Sequence, residues 1–156
     1  MKSKLLLLSL LFSAILISAP AVRAQGGVRS GPDPSTVRDP DLEKDSLHNL
    51  EVARNYFKLK KAYVAALRRC EEIIAGNPNF AKIEEVLFIA GRSSLALADS
   101  KGKQAPTLYS KETTPDQFRT MGREYLTKLV KDYPSSAFAK DAQEDLRLLD
   151  AAKPAP

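Results

Sequence analysis

The sequence predicts an all-α protein: antiparallel helical hairpins stacked side by side, about two of them, followed by a closing helix. Three observations carry that expectation. Two stretches close alike: counting back from Pro78 and from Pro134, a small residue sits twelve places earlier (Ala66, Gly122), an apolar one eight earlier (Cys70, Leu126) and another five earlier (Ile73, Leu129). The same stretches open on Ala53, Tyr56, Phe57 and on Leu87, Ala90, Gly91. Between these marks, apolar residues fall at three- and four-residue spacings, the period of a helix with one buried face.

The elements follow in order. A first helix starts at Asp39, with Pro40 in its first turn and Asp41 and Glu43 near the positive end of its dipole. Leu50, Ala53, Tyr56 and Phe57 form its apolar stripe, and the chain turns near Lys60 and Lys61. A second helix runs from about Ala62 to Ala75 with Tyr63, Ala66, Leu67, Cys70, Ile73 and Ile74 inward. Gly76 is expected to cap it in the left-handed conformation, and Pro78 blocks continuation. The short link makes the two helices an antiparallel pair.

A third helix runs from about Phe80 to Ala98. Gly91 lies in its middle, where glycine costs about 1 kcal/mol against alanine. Close approach of a neighbouring helix would offset that cost. Residues 99–113 interrupt the pattern as an inserted loop, whose large apolar residues, Leu108 and Tyr109, can fold back on the domain. Thr114, Pro115 and Gln117 then spell a capped helix start with a capping box. This fourth helix reaches about Tyr133 and stops at Pro134. A fifth, from Ser136 to about Ala152, turns Phe138, Ala139, Ala142, Leu146 and Leu149 inward and Lys140, Asp141, Glu144, Asp145 and Arg147 outward, as expected of a terminal helix covering a core.

The repeat is expected to span residues 39–152. Residues 1–24 read as a signal peptide: Lys2 and Lys4 precede an apolar run, and Val22, Arg23 and Ala24 end it with cleavage expected after Ala24. Residues 25–38, rich in glycine and proline, read as a flexible linker, and residues 153–156 as a disordered tail. The chain carries 24 basic and 19 acidic residues. Losing Lys2, Lys4 and Arg23 with the leader leaves 21 against 19, too even a balance for nucleic acid to be an expected partner. An exported chain with a single cysteine forms no internal disulfide. Cys70 reads as a small buried hydrophobe. With no cysteine near the end of the leader, a lipid anchor at the N-terminus is not expected.

Recurring small, large and proline positions mark a tetratricopeptide-like hairpin, whose period is 34 residues. The phrase Asn77–Pro78–Asn79–Phe80–Ala81 leading into Glu85 to Gly91, and Asp132–Tyr133–Pro134–Ser135–Ser136 leading into Ala139 to Ala142, resemble the family of the outer-membrane assembly lipoprotein BamD and related periplasmic tetratricopeptide proteins. The resemblance spans roughly Leu50 to Leu149. It implies an α-helical scaffold working through protein–protein contacts in the bacterial envelope, periplasmic or secreted. Such an array is short. Stability gained by pairing with itself or a partner is therefore an expectation too.

No catalytic constellation is visible. His48 is the only histidine, so a metal site or catalysis built on several histidines has no residues to use, and no cofactor is expected. Glu71–Glu72 and Glu84–Glu85 are adjacent on helices and read as solvated faces rather than acid–base dyads. Repeat arrays bind along the surface made by the first helix of each hairpin. Here those positions are His48, Glu51, Asn55 and Lys58 on the first helix and Glu85, Phe88, Arg92 and Leu95 on the third. Phe88 and Leu95 are candidate apolar anchors. Arg92, Lys58 and Asn55 together suit a peptide carboxylate. The competing reading is that the fifth helix packs over these positions. A small secreted ligand-binding protein, with a pocket between the hairpins, is the alternative function.

Overall fold

A computed structural model describes residues 38–151. The expected signal peptide, most of the linker and the tail lie outside the described residues. Five α-helices and no strand occur among those residues: α1 (Pro40–Arg54), α2 (Tyr63–Gly76), α3 (Ile83–Ala98), α4 (Pro115–Asp132) and α5 (Ala139–Ala151). The fold is all-α and tetratricopeptide-like. Consecutive helices pack against one another, with α3 lying on both α2 and α4. Side-chain contacts sort them into two rows. Arg54 meets Glu85 and Arg92 meets Asp145, joining α1, α3 and α5, while Tyr125 reaches Glu71, joining α4 to α2.

The repeat positions are where the core forms. Ala66, Cys70, Ile73, Gly122, Leu126 and Leu129 are all buried. Burial raises the pKa of the Cys70 thiol well above its ordinary value, keeping it a neutral hydrophobe. The tightest crossing lies between α3 and α4. A β-carbon built on Gly91 would sit 2.7 Å from Leu126 Cγ and 3.3 Å from the Gly122 carbonyl oxygen, and one built on Gly122 would sit 2.6 Å from Leu95 Cδ2 and 3.1 Å from the Gly91 carbonyl oxygen. The two glycines face each other, and each removes the side chain that would hold the other helix away.

Helix starts obey local chemistry. Asp39 Oδ1 accepts from the Asp41 and Leu42 amides at 2.9 and 3.3 Å. Thr114 and Gln117 form the reciprocal capping box, with the Gln117 amide donating to Thr114 Oγ1 at 3.2 Å and the Thr114 amide to Gln117 Oε1 at 2.7 Å.

Two local expectations are corrected, and the end of α1 gains detail. Gly76 is not left-handed; it is the last residue of α2, and Asn77 ends the helix at φ −143°, ψ 75°. Proline at 78 disfavours the helical conformation in the residue before it. The buried Asn77 amide then donates to Glu43 Oε1 at 3.0 Å and Ser46 Oγ at 3.2 Å, fixing the turn onto α1. The third helix begins at Ile83 rather than near Phe80, because Phe80 is drawn into the core while residues 81 and 82 turn. α1 does not end plainly: residues Asn55–Lys60 continue it as a π-helical turn that closes on Lys61, left-handed at φ 49°.

Two stability predictions come from this packing. Gly91→Ala is expected to lose about 1–2 kcal/mol, overpacking against the fully buried Leu126 exceeding the helix-propensity gain. Gly122→Ala should lose less, since the half-buried Leu95 can move aside; urea midpoints at constant slope would test that order. Ser93, fully buried on α3, has a hydroxyl with no hydrogen-bond partner among the described residues. Ser93→Ala should therefore gain about 1 kcal/mol in the same titration.

Candidate functional site

The row formed by α1, α3 and α5 carries an open cleft of about 510 Å³. Leu95, Ala96, Leu148 and Leu149 supply apolar surface from α3 and α5, and Phe57 and Tyr63 close the end next to the first hairpin turn. Their rings meet edge to face at 5.7 Å. Charged groups border it: Arg92 with Asp145, and Asp99 with Lys101 and Arg119. Leu148 is 52 % exposed.

The eight candidate residues divide. His48, Glu51, Asn55 and Lys58 are exposed. Glu85 receives Arg54 Nε at 2.6 Å, so it ties α3 to α1. Phe88 is only 8 % exposed and stacks on Phe138 at 5.0 Å between ring centroids. Arg92 lies 4.5 Å above the Phe88 ring and donates from Nε to Asp145 Oδ2 at 2.7 Å. Together these contacts lay α5 along α3. Asp145, read from the sequence as outward, instead faces α3 because Arg92 offers it a two-point hydrogen bond. Leu95 and Arg92 line the cleft. Leu148 and Leu149, its other apolar surface, are absent from the sequence-derived set. Leu149 belongs to the inward stripe expected of the fifth helix, whereas Leu148 lies outside that stripe and joins the cleft through the lie of α5 on α3.

The inserted loop is stapled to the opposite row. α2 has no side-chain cap of its own, and Gln104 Oε1 accepts the Ala65 amide at 3.1 Å in its place. Arg68 Nη2 donates to the Leu108 carbonyl at 2.9 Å. Tyr109 packs edge to face on Phe118 at 5.4 Å and donates its hydroxyl to Glu71 Oε1 at 2.8 Å, while Leu108 stays exposed. Glu71 is thus no solvated carboxylate; the loop and Tyr125 half-bury it. Burial raises its pKa above the ordinary carboxylate value, with the two tyrosine hydroxyls and Arg68 opposing the shift. Tyr109 is pushed up to about 12, by burial and then by its bond to Glu71.

The outer membrane lipoprotein family YfiO matches residues 48–152. The chain belongs to this family. It is a BamD-like tetratricopeptide family of non-enzymatic scaffolds. The match covers α2 to α5 and the C-terminal part of α1, hence every residue of the cleft and of the stapled loop. Comparison with curated proteins and with solved structures returned no match. Among the described residues of this YfiO-family chain, no helix is long and apolar enough to cross a membrane.

Because the pKa of Glu71 is raised in the folded state, its contribution to stability is fully present below its unfolded pKa and is lost as pH rises through the folded value. Glu71→Gln keeps an oxygen acceptor for Tyr109 without a charge to bury. The variant should melt at or above the parent at pH 7, and that advantage should vanish below about pH 4. Melting curves of both proteins across pH check this.

Proposed function

We propose that the protein is a non-catalytic scaffold or adaptor of the bacterial cell envelope, working on the periplasmic side in outer-membrane assembly, and that it holds a segment of a protein partner in the cleft between α3 and α5. The observation that carries this reading is the coincidence of the family match with an open, apolar-lined and charge-bordered cleft on the row where repeat arrays bind. Leu95, Leu148 and Leu149 would take apolar side chains. Lys101 and Arg119 would meet acidic groups or a chain-terminal carboxylate. His48, Glu51, Asn55 and Lys58, exposed on α1 and the turn after it, would extend the surface toward the first hairpin. Glu85, Phe88 and Arg92 would support it from below by holding α1 and α5 in place. A small-molecule pocket, the other function considered, is not favoured by a family of scaffolds.

Affinity capture from the native envelope with the protein as bait tests the reading. Leu148→Asp changes a half-exposed side chain and should leave the melting temperature nearly unchanged. It should also reduce recovery of the captured partner about tenfold or more, as expected when a buried interface anchor is lost. Undiminished recovery would place binding elsewhere on the protein.

A further inference from the structure

Charge is distributed unevenly over the two edges of the array. The turns at one edge, residues 76–82 and 133–138, contain a single charged side chain, Lys82. At the other edge, residues 55–61 and 99–103 carry five lysines against one aspartate, Asp99. The fold brings these two segments together: the Lys103 amide donates to the Lys61 carbonyl oxygen at 2.9 Å. Gly102, at φ 96°, lets the loop press onto the same carbonyl and the Tyr63 ring, since a β-carbon there would lie 2.6 Å from both.

All five lysines are exposed. Lys101 pairs with Asp99 and Lys60 lies over the Tyr56 ring, while Lys58, Lys61 and Lys103 have no ion-pair partner among the described residues. In the midst of them stands Leu59, 77 % exposed, the most exposed large hydrophobic side chain among the described residues. The π-helical turn puts an extra residue into the end of α1, and Lys61 then reverses the chain, so Leu59 projects from the edge instead of joining the core stripe.

We infer that this edge docks on an anionic lipid surface, with Lys58, Lys60, Lys61, Lys101 and Lys103 meeting headgroup phosphates and Leu59 entering the acyl boundary. An exposed leucine set among cations is the pattern of interfacial contact, in which apolar insertion and electrostatic attraction act together. Charge alone would serve an acidic protein equally well. The leucine projects outward and is not among the residues that line the cleft, which favours a bilayer. The inference goes beyond the scaffold reading: it shares Lys58 and Lys101 with the surface offered there to a protein partner, but Leu59, Lys60, Lys61 and Lys103 lie outside that surface. Each lysine brought to an anionic leaflet strengthens partition about fivefold, and the attraction weakens within a Debye length as salt rises.

The chain contains no tryptophan, so Leu59→Trp supplies a reporter at the docking edge of the full-length protein. Its emission should shift to the blue on phosphatidylglycerol-containing vesicles at about 50 mM salt, revert at about 500 mM, and stay unshifted on phosphatidylcholine vesicles. Adding Lys58→Gln, Lys61→Gln and Lys103→Gln should weaken that partition about a hundredfold with the melting temperature nearly unchanged. The reporter reads this edge alone, so lipid contact made elsewhere in the chain does not move it. No shift on anionic vesicles, an equal shift on neutral ones, or a shift that survives the triple substitution would each overturn the inference.

Discussion

Everything in the second half of the array hangs on the contact between Gly91 and Gly122. Backbone meets backbone there, with each glycine's missing β-carbon leaving room for a leucine from the opposite helix. The approach brings Leu126 and Leu95 onto glycine surfaces, so both helices pay the glycine penalty within one interface and recover it through dispersion and burial. With α4 set that close, Phe118, Leu126 and Leu129 reach full burial, and α3 is left free on its other side to receive α1 and α5. The cleft is a consequence: α3 is its shared wall, held at a fixed depth by the crossing behind it.

The two faces of α3 are stabilised differently. Toward α4 the contact is apolar, with Leu126 on Gly91 and Leu95 on Gly122. Toward α1 and α5 it is carried by half-exposed arginine–carboxylate pairs, Arg54–Glu85 and Arg92–Asp145, which contribute modestly to stability but define geometry through two-point hydrogen bonds. A rigid back and a lightly tied front suit the proposed use of the front row to hold a partner. Stiffness comes from the core, and the helices bordering the cleft can adjust at small cost. The inserted loop plays a comparable part on the back row. Its glutamine caps α2, and its tyrosine covers Glu71, so a loop with a single 3-10 turn completes a helix that would otherwise leave polar groups unmet.

Features governed by neighbours in the chain were legible in the sequence. The capping box at Thr114 and the cap at Asp39 involve residues three apart or fewer, and the six buried positions counted back from the two prolines follow from helical period alone. Gly91 was legible as a close-approach site because its cost demanded compensation. The candidate surface was legible only in part. Leu95 and Arg92 line the cleft as placed, whereas Phe88 is turned under Phe138 by the lie of α5, and Leu148 joins the cleft for the same reason. Glu71 looked solvated because the tyrosines that cover it stand 38 and 54 residues away.

By itself, then, the sequence determined the all-α class, the number and order of the helices, where most of their ends fall and which stripe of each turns inward, since all of these depend on interactions within one or two turns of chain. Tertiary structure alone decided which helix lies over which candidate residue, which carboxylates are paired or buried, and how two lysine-bearing segments come to share one edge. Those outcomes depend on contacts between residues tens of positions apart, whose energies are set by distance in space and by exclusion of water, and neither quantity is written in the order of the residues.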